Sequence, residues 1–261
     1  MGTIMPMRVV ITLVLLAFMT GCTTAAAPAS PSPPTATQPA IAGIVGGSAD
    51  WTIHTPGPEH AIEGFADRVS VAPGDPVRLY VSTTARTWTA TAFRLGRDAR
   101  SVWTSTPQPG HPQPAAIIQK PTNTVVAPWA PSLTVDTTGW DTGDYLFRLD
   151  APGAQRYVPL TVRTTSNAGL LVIINAVTTW QAYNQWGGYS LYKGCDGRRE
   201  TRSRAVSFDR PYQQAMAGAG QFLQFELPAV RVAEHAGSRW ATPPTSTCTP
   251  TRTCSTARAP C

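Results

Sequence analysis

At 261 residues the chain is long enough for one large or two ordinary domains whose cores need no disulfide support. Charged residues are only 14% of it, against 25 prolines, and the formal net charge of +6 lies largely in one arginine-rich loop and in the C-terminal stretch. That distribution argues against a nucleic-acid-binding protein, whose basic residues would line a folded face, and it fits a proline-rich tether joined to β-rich material.

The N-terminus reads as an export signal. Arg8 precedes an apolar run from Val9 to Met19, which has the length of a signal-peptide core and is too short to cross a bilayer of roughly 30 Å as a helix. Met19-Thr20-Gly21-Cys22 follows and resembles the bacterial lipoprotein cleavage box, with Met19 where that pattern usually has leucine. The resemblance implies a signal peptide over residues 1–22, lipidation of Cys22, and an extracytoplasmic protein whose membrane partner is reached through that anchor. An ordinary secretory leader is the alternative. Residues 23–42, uncharged and rich in Pro, Ala, Ser and Thr, bury too little to offset ordering entropy and form a disordered linker.

Residues 43–165 are expected to form an antiparallel β-sandwich of immunoglobulin-like type. Val69-Ser70-Val71, the turn Pro73-Gly74-Asp75 and the alternating Val77 to Val81 read as a hairpin. Further strands are expected at Trp88 to Leu95, Ser132 to Asp136, Tyr145 to Asp150 and Tyr157 to Arg163. Trp88, Trp103, Trp129 and Trp140 suit either core filling or a carbohydrate-binding platform, the former being the commoner use of tryptophan in such domains. His54, His60 and His111 have no ligand spacing between them.

A second unit is expected over residues 166–237. Leu170 to Ala176 is a continuous apolar run of strand length, and an aromatic loop follows it. Ligands of open α/β sheets sit beyond the carboxyl ends of strands, which makes Trp180, Gln181, Tyr183, Asn184, Trp186 and Tyr189 the candidate site loop. The covering alternative is that Trp180 and Trp186 close the sheet end and Asn184 satisfies backbone groups in a turn. Phe222, Phe225, Ala229 and Val232 recur at helical spacing, and Pro228 confines the helix to a start near Glu226 or Leu227. Cys195 lies outside any strand-to-helix elbow, with no base adjacent in sequence, and Arg198, Arg199, Arg202 and Arg204 read as a solvated loop. His235 falls where it would cap a helix end.

The strings TTWQAYNQWGGYSLY, VSFDRPY and GAGQFLQFELP, with SLTVDTTGW and YVPLTVR upstream, resemble the N,N-dimethylformamidase large-subunit-like family over about Val69 to Gly237. The resemblance implies a mixed fold, β then α/β: an immunoglobulin-like β-sandwich followed by the first β-loop-α part of a domain similar to class I glutamine amidotransferases. It also implies hydrolysis of a small amide at an iron held by tyrosine and glutamate side chains. Carried onto this sequence, the match gives Tyr183 as a metal ligand. Leu227 stands where relatives often have a tyrosine, and no string similar to the family's GHDEYW, which would bring the glutamate, is present.

From Ser238 the text has no period and carries Cys248, Cys254 and Cys261, for which a secreted disulfide tail with an odd cysteine left over is one reading. With G/C-rich codons and a two-nucleotide shift, Trp240 to Cys261 can encode a family-like continuation, so residues 238–261 are expected to be a disordered, frameshifted tail. The function expected from these readings is an exported, lipid-anchored, truncated relative of an amide hydrolase, inactive alone and without iron. The alternative is a non-catalytic extracytoplasmic binding module that contacts glycan or protein through the sandwich.

Overall fold

The computed structural model describes residues 50–166 and 168–242. The expected signal peptide with Cys22, the expected linker and residues 243–261 lie outside the described residues.

The first half is β-rich. β1 (Ile62–Ala66), β2 (Ser70–Val71) and β3 (Val77–Thr83) open it, and β3 buries alternate residues from Val77 onward. β4 (Thr87–Leu95), β5 (Arg100–Thr104), β6 (Gln108–Pro109), β7 (Ile117–Gln119), β8 (Thr124–Val126) and β9 (Leu133–Val135) follow. β10 (Gly143–Ala151) turns directly into β11 (Ala154–Val162), in register from Gly143 opposite Val162 to Ala151 opposite Ala154. One sheet has the order β1-β3-β9, and a larger one the order β2-β11-β10-β4-β5 with β6 beside β4. Their facing sides share a core that includes Leu79, Val81, Trp88, Tyr145, Phe147 and Leu149.

The expected hairpin across Pro73-Gly74-Asp75 is corrected. The turn forms, with Asp75 N–H bonded to Ala72 O at 3.0 Å, but its arms enter different sheets: β2 lies parallel beside β11, and β3 pairs with β1 and β9. Period two in neighbouring runs identifies strands and leaves their partners open.

β10 is buried on both faces because helical chain covers the outer side of its sheet. Phe93, Leu95, Leu146 and Tyr157 there meet Trp180, Phe222 and Leu227 in a second core. Residues on either side of position 165 thus contribute to this second core.

The expected strand Leu170 to Ala176 is shorter than its apolar text. Only β12 (Leu171–Val172) is extended, and the expected loop starts as α1 (Val177–Tyr183). Asn175 accounts for the early stop: its Nδ2 donates to Asp144 Oδ1 at 2.7 Å and lies 2.9 Å from Thr161 Oγ1, while Val177 N–H closes a turn onto Asn175 O. A π-helical turn (Phe222–Glu226) leads into α2 (Leu227–His235), which carries Pro228 in its first turn as expected. The inserted π turn shifts the phase of the apolar face. Leu227, Val230 and Ala233 are buried with Phe222, whereas Phe225 and Val232 of the expected face are 57% and 69% exposed.

The expected end of regular structure at Gly237 is also corrected. Gly237 N–H bonds Glu234 O and Ser238 N–H bonds Ala233 O, a Schellman ending that uses the φ of +68° at Gly237. The chain then forms β13 (Trp240–Ala241), parallel to β12.

Gly218 docks the helical segment onto β11. Its φ is +86°, and a Cβ there would lie 2.2 Å from Tyr157 O, beside the bond from Tyr157 N–H to Ala217 O. Gly218→Ala is expected to lower stability by about 2–3 kcal/mol, combining the strained φ with a displaced docking contact. Urea denaturation measures this; an unchanged midpoint would show that the contact yields freely.

Candidate functional site

The candidate loop separates into inward and outward side chains. Trp180, Gln181, Asn184 and Trp186 are buried, and Tyr183 is 50% exposed. Trp180 donates from Nε1 to Glu226 Oε1 at 3.0 Å, and Trp186 donates from Nε1 to the buried Glu63 Oε1 at 3.0 Å while packing edge-on against Trp129. Asn184 Oδ1 accepts the backbone N–H groups of Trp186 and Gln213, and its Nδ2 donates to Pro211 O and Gln181 Oε1. These side chains hold the loop's own fold together.

Their common partner is Arg210, which is fully buried. Nε donates to Gln181 Oε1 at 3.1 Å, Nη2 to the carbonyls of Gln181 and Asn184, and Nη1 to those of Trp186 and Tyr189. Burial drags the guanidinium pKa down to about 10, with Tyr212 acting weakly in the opposite direction. In the sequence, VSFDRPY stands out only as a family string; the one signal that this cation is internal is its flanking by Phe208, Pro211 and Tyr212.

Tyr183 and Tyr192 form the exposed part of the site, their rings stacked with centroids 4.3 Å apart. The hydrogen bond between their phenols holds the Tyr192 pKa above its ordinary value. Tyr183 also opens on a shallow cleft, about 320 Å³ with its open solvent included, bordered by Gly218, Gly220, Gln213 and Gln221, with Trp180 and Phe222 behind it. No acidic or basic side chain lines that cleft. Tyr189 turns toward Cys195, whose exposed Sγ donates to the Tyr189 hydroxyl at 3.3 Å.

A tyrosine–glutamate iron set needs a carboxylate beside the phenolate. Glu226 Oε1 instead accepts from Trp180 Nε1 and Ala176 N–H, and Leu227 is a core residue. The described residues therefore do not fit that set. Among them, no group of three or more His, Cys, Asp or Glu side chains could hold a metal ion.

Trp88, Trp129 and Trp140 are interior residues, and Trp140 stacks on Tyr145 at 4.9 Å. His235 Nδ1 bonds Arg231 O at 3.0 Å within α2. Two carboxylates near α1 have roles that the sequence did not indicate: the buried Asp144, held by Thr161 and Asn175, and the half-buried Glu226, held by Trp180.

These features define a β-rich protein of two facing sheets, with a helical layer that closes an aromatic cleft against one of them. The family model for N,N-dimethylformamidase beta subunit-like proteins, C-terminal, matches residues 86–246, and the chain belongs to that family. The match runs past Gly237 and includes β13, so Trp240 and Ala241 continue the family text. No match was found among curated proteins.

Proposed function

We propose that this is an exported, lipid-anchored N,N-dimethylformamidase-like protein whose Tyr183 cleft holds a small amide, and that its described residues do not by themselves make a hydrolytic centre. The architecture proposed with it is an immunoglobulin-like sandwich carrying the first part of an amidotransferase-like α/β layer. Tyr145 supports the former, since its hydroxyl donates to Asp141 O at 2.6 Å in the manner of a tyrosine corner. The parallel pair of β12 and β13, with α2 between them in sequence, supports the latter.

The observation that carries the reading is the lining of the Tyr183 cleft. A phenol and the amides of Gln213 and Gln221 can donate to and accept from an amide ligand. Hydrolysis needs a Lewis acid or a positioned base, which the same lining does not supply. N,N-dimethylformamide titrated into the full chain is expected to shift the Tyr183 ring signals, with about tenfold weaker binding after Tyr183→Ala. No formate should be released above the uncatalysed rate, with or without added iron. Turnover would overturn the non-hydrolytic reading, and absence of a shift would overturn the cleft. Cys22→Ser should abolish fatty-acid labelling; undiminished labelling rejects the anchor.

A further inference from the structure

A second cleft lies on the other side of Trp180 and Phe222, between the larger sheet, β1 and α1; it spans about 480 Å³ with its solvent-filled mouth included, and only a small part of that is enclosed. Phe65, Trp180, Tyr212 and Phe222 give it aromatic walls. Asp144 and Asn175 line it as well, and each has an oxygen without a partner: Asp144 Oδ2 and Asn175 Oδ1. The two residues are joined by the 2.7 Å bond from Asn175 Nδ2 to Asp144 Oδ1, so the two unused acceptors flank a single hydrogen bond.

We propose that this cleft is a binding site for a small primary alkylammonium ion, its N–H groups donating to Asp144 Oδ2 and Asn175 Oδ1 and its alkyl body lying against the aromatic walls.

Three features support this class of ligand. Asp144 is only 1% exposed, and a buried carboxylate needs both a donor and a compensating charge. Arg94, the cation that acts on Asp144, spends its guanidinium on Thr142 O and Glu234 Oε1, and Glu226 opposes it with like charge. Arg210 borders the cleft, but its donors are taken by the loop carbonyls, and Arg68, also at the border, lies 4.0 Å from Asp75. A bare alkali or divalent cation fits poorly, because such ions require six or so oxygens and this wall is mostly aliphatic and aromatic. The site is separate from the Tyr183 cleft and stands whether or not an amide binds there.

The test is titration of the full chain with n-propylammonium at pH 8, followed through the Trp180 indole N–H signal. Saturable binding with Kd of about 1 mM is expected for so small a ligand. Tetramethylammonium, which has no N–H donor, and potassium should each bind at least tenfold more weakly. Asp144→Asn should weaken propylammonium binding at least tenfold, and Ala66→Leu, which narrows the cleft without touching the polar pair, should do the same if the first variant misfolds. Absence of saturation, equal binding of tetramethylammonium or potassium, or unchanged affinity in both variants would each overturn the proposal.

Discussion

Arg210→Met is expected to destabilise the protein by about 3–5 kcal/mol and to release the segment from Gln181 to Tyr189. The native guanidinium serves five acceptors, namely Gln181 Oε1 and the carbonyls of Gln181, Asn184, Trp186 and Tyr189, at 3.0–3.3 Å. Methionine fills a similar volume and repairs none of these bonds. Removal of the cation does recover its desolvation cost, which the downward pKa shift to about 10 shows to be appreciable. The orphaned acceptors outweigh that gain, at roughly 1–3 kcal/mol for each one that stays buried. Lysine should rescue little, because three donors on one nitrogen cannot span a set of oxygens arranged for a planar fork. Urea denaturation gives the magnitude, and hydrogen exchange over residues 184–190 shows whether the loss is local. A change below about 1 kcal/mol with unaltered exchange would mean that α1 and the aromatic contacts hold the loop unaided.

Arg210 also shows where sequence reasoning stopped. Strands β4, β9, β10 and β11 fell where alternation put them, and Pro228 fixed the start of α2, because period and backbone sterics are local properties. Strand partnership is not local, which is why the two arms of the Pro73-Gly74-Asp75 turn were joined in sequence and separated in space. The stop after Val172 depends on Asn175 meeting Asp144 and Thr161 from strands far upstream. The phase of α2 depends on one π turn that an apolar period cannot register. In the candidate loop the aromatic string marked the right place, but residue type could not say which rings face outward. Tyr183 does so only because Arg210 and Asn184 hold its neighbours inward.

Asp144→Asn should raise stability above pH 6 and leave it nearly unchanged below pH 4. Burial lifts the Asp144 pKa from 3.8 to about 6, against the opposing hydrogen bonds from Thr161 and Asn175. Between those values the folded chain keeps a proton that the unfolded chain releases. The wild type therefore loses stability as pH rises through this window and levels off above it. Two pKa units correspond to about 3 kcal/mol, which is the upper limit of what the variant can recover. Asparagine preserves the Oδ1 acceptor for Thr161 and Asn175, and its NH2 group puts a donor where Oδ2 had no partner. His60 complicates the raw pH profile, since its bond to Glu63 raises its pKa and that contribution is likewise lost as pH rises. The difference between wild type and variant cancels the His60 contribution and isolates Asp144. A difference that stays flat from pH 4 to 8 would show that the carboxyl does not titrate in this range. One that grows with pH, and that shrinks when propylammonium is added to the wild type, would tie the cost of the buried charge to the ligand that offsets it.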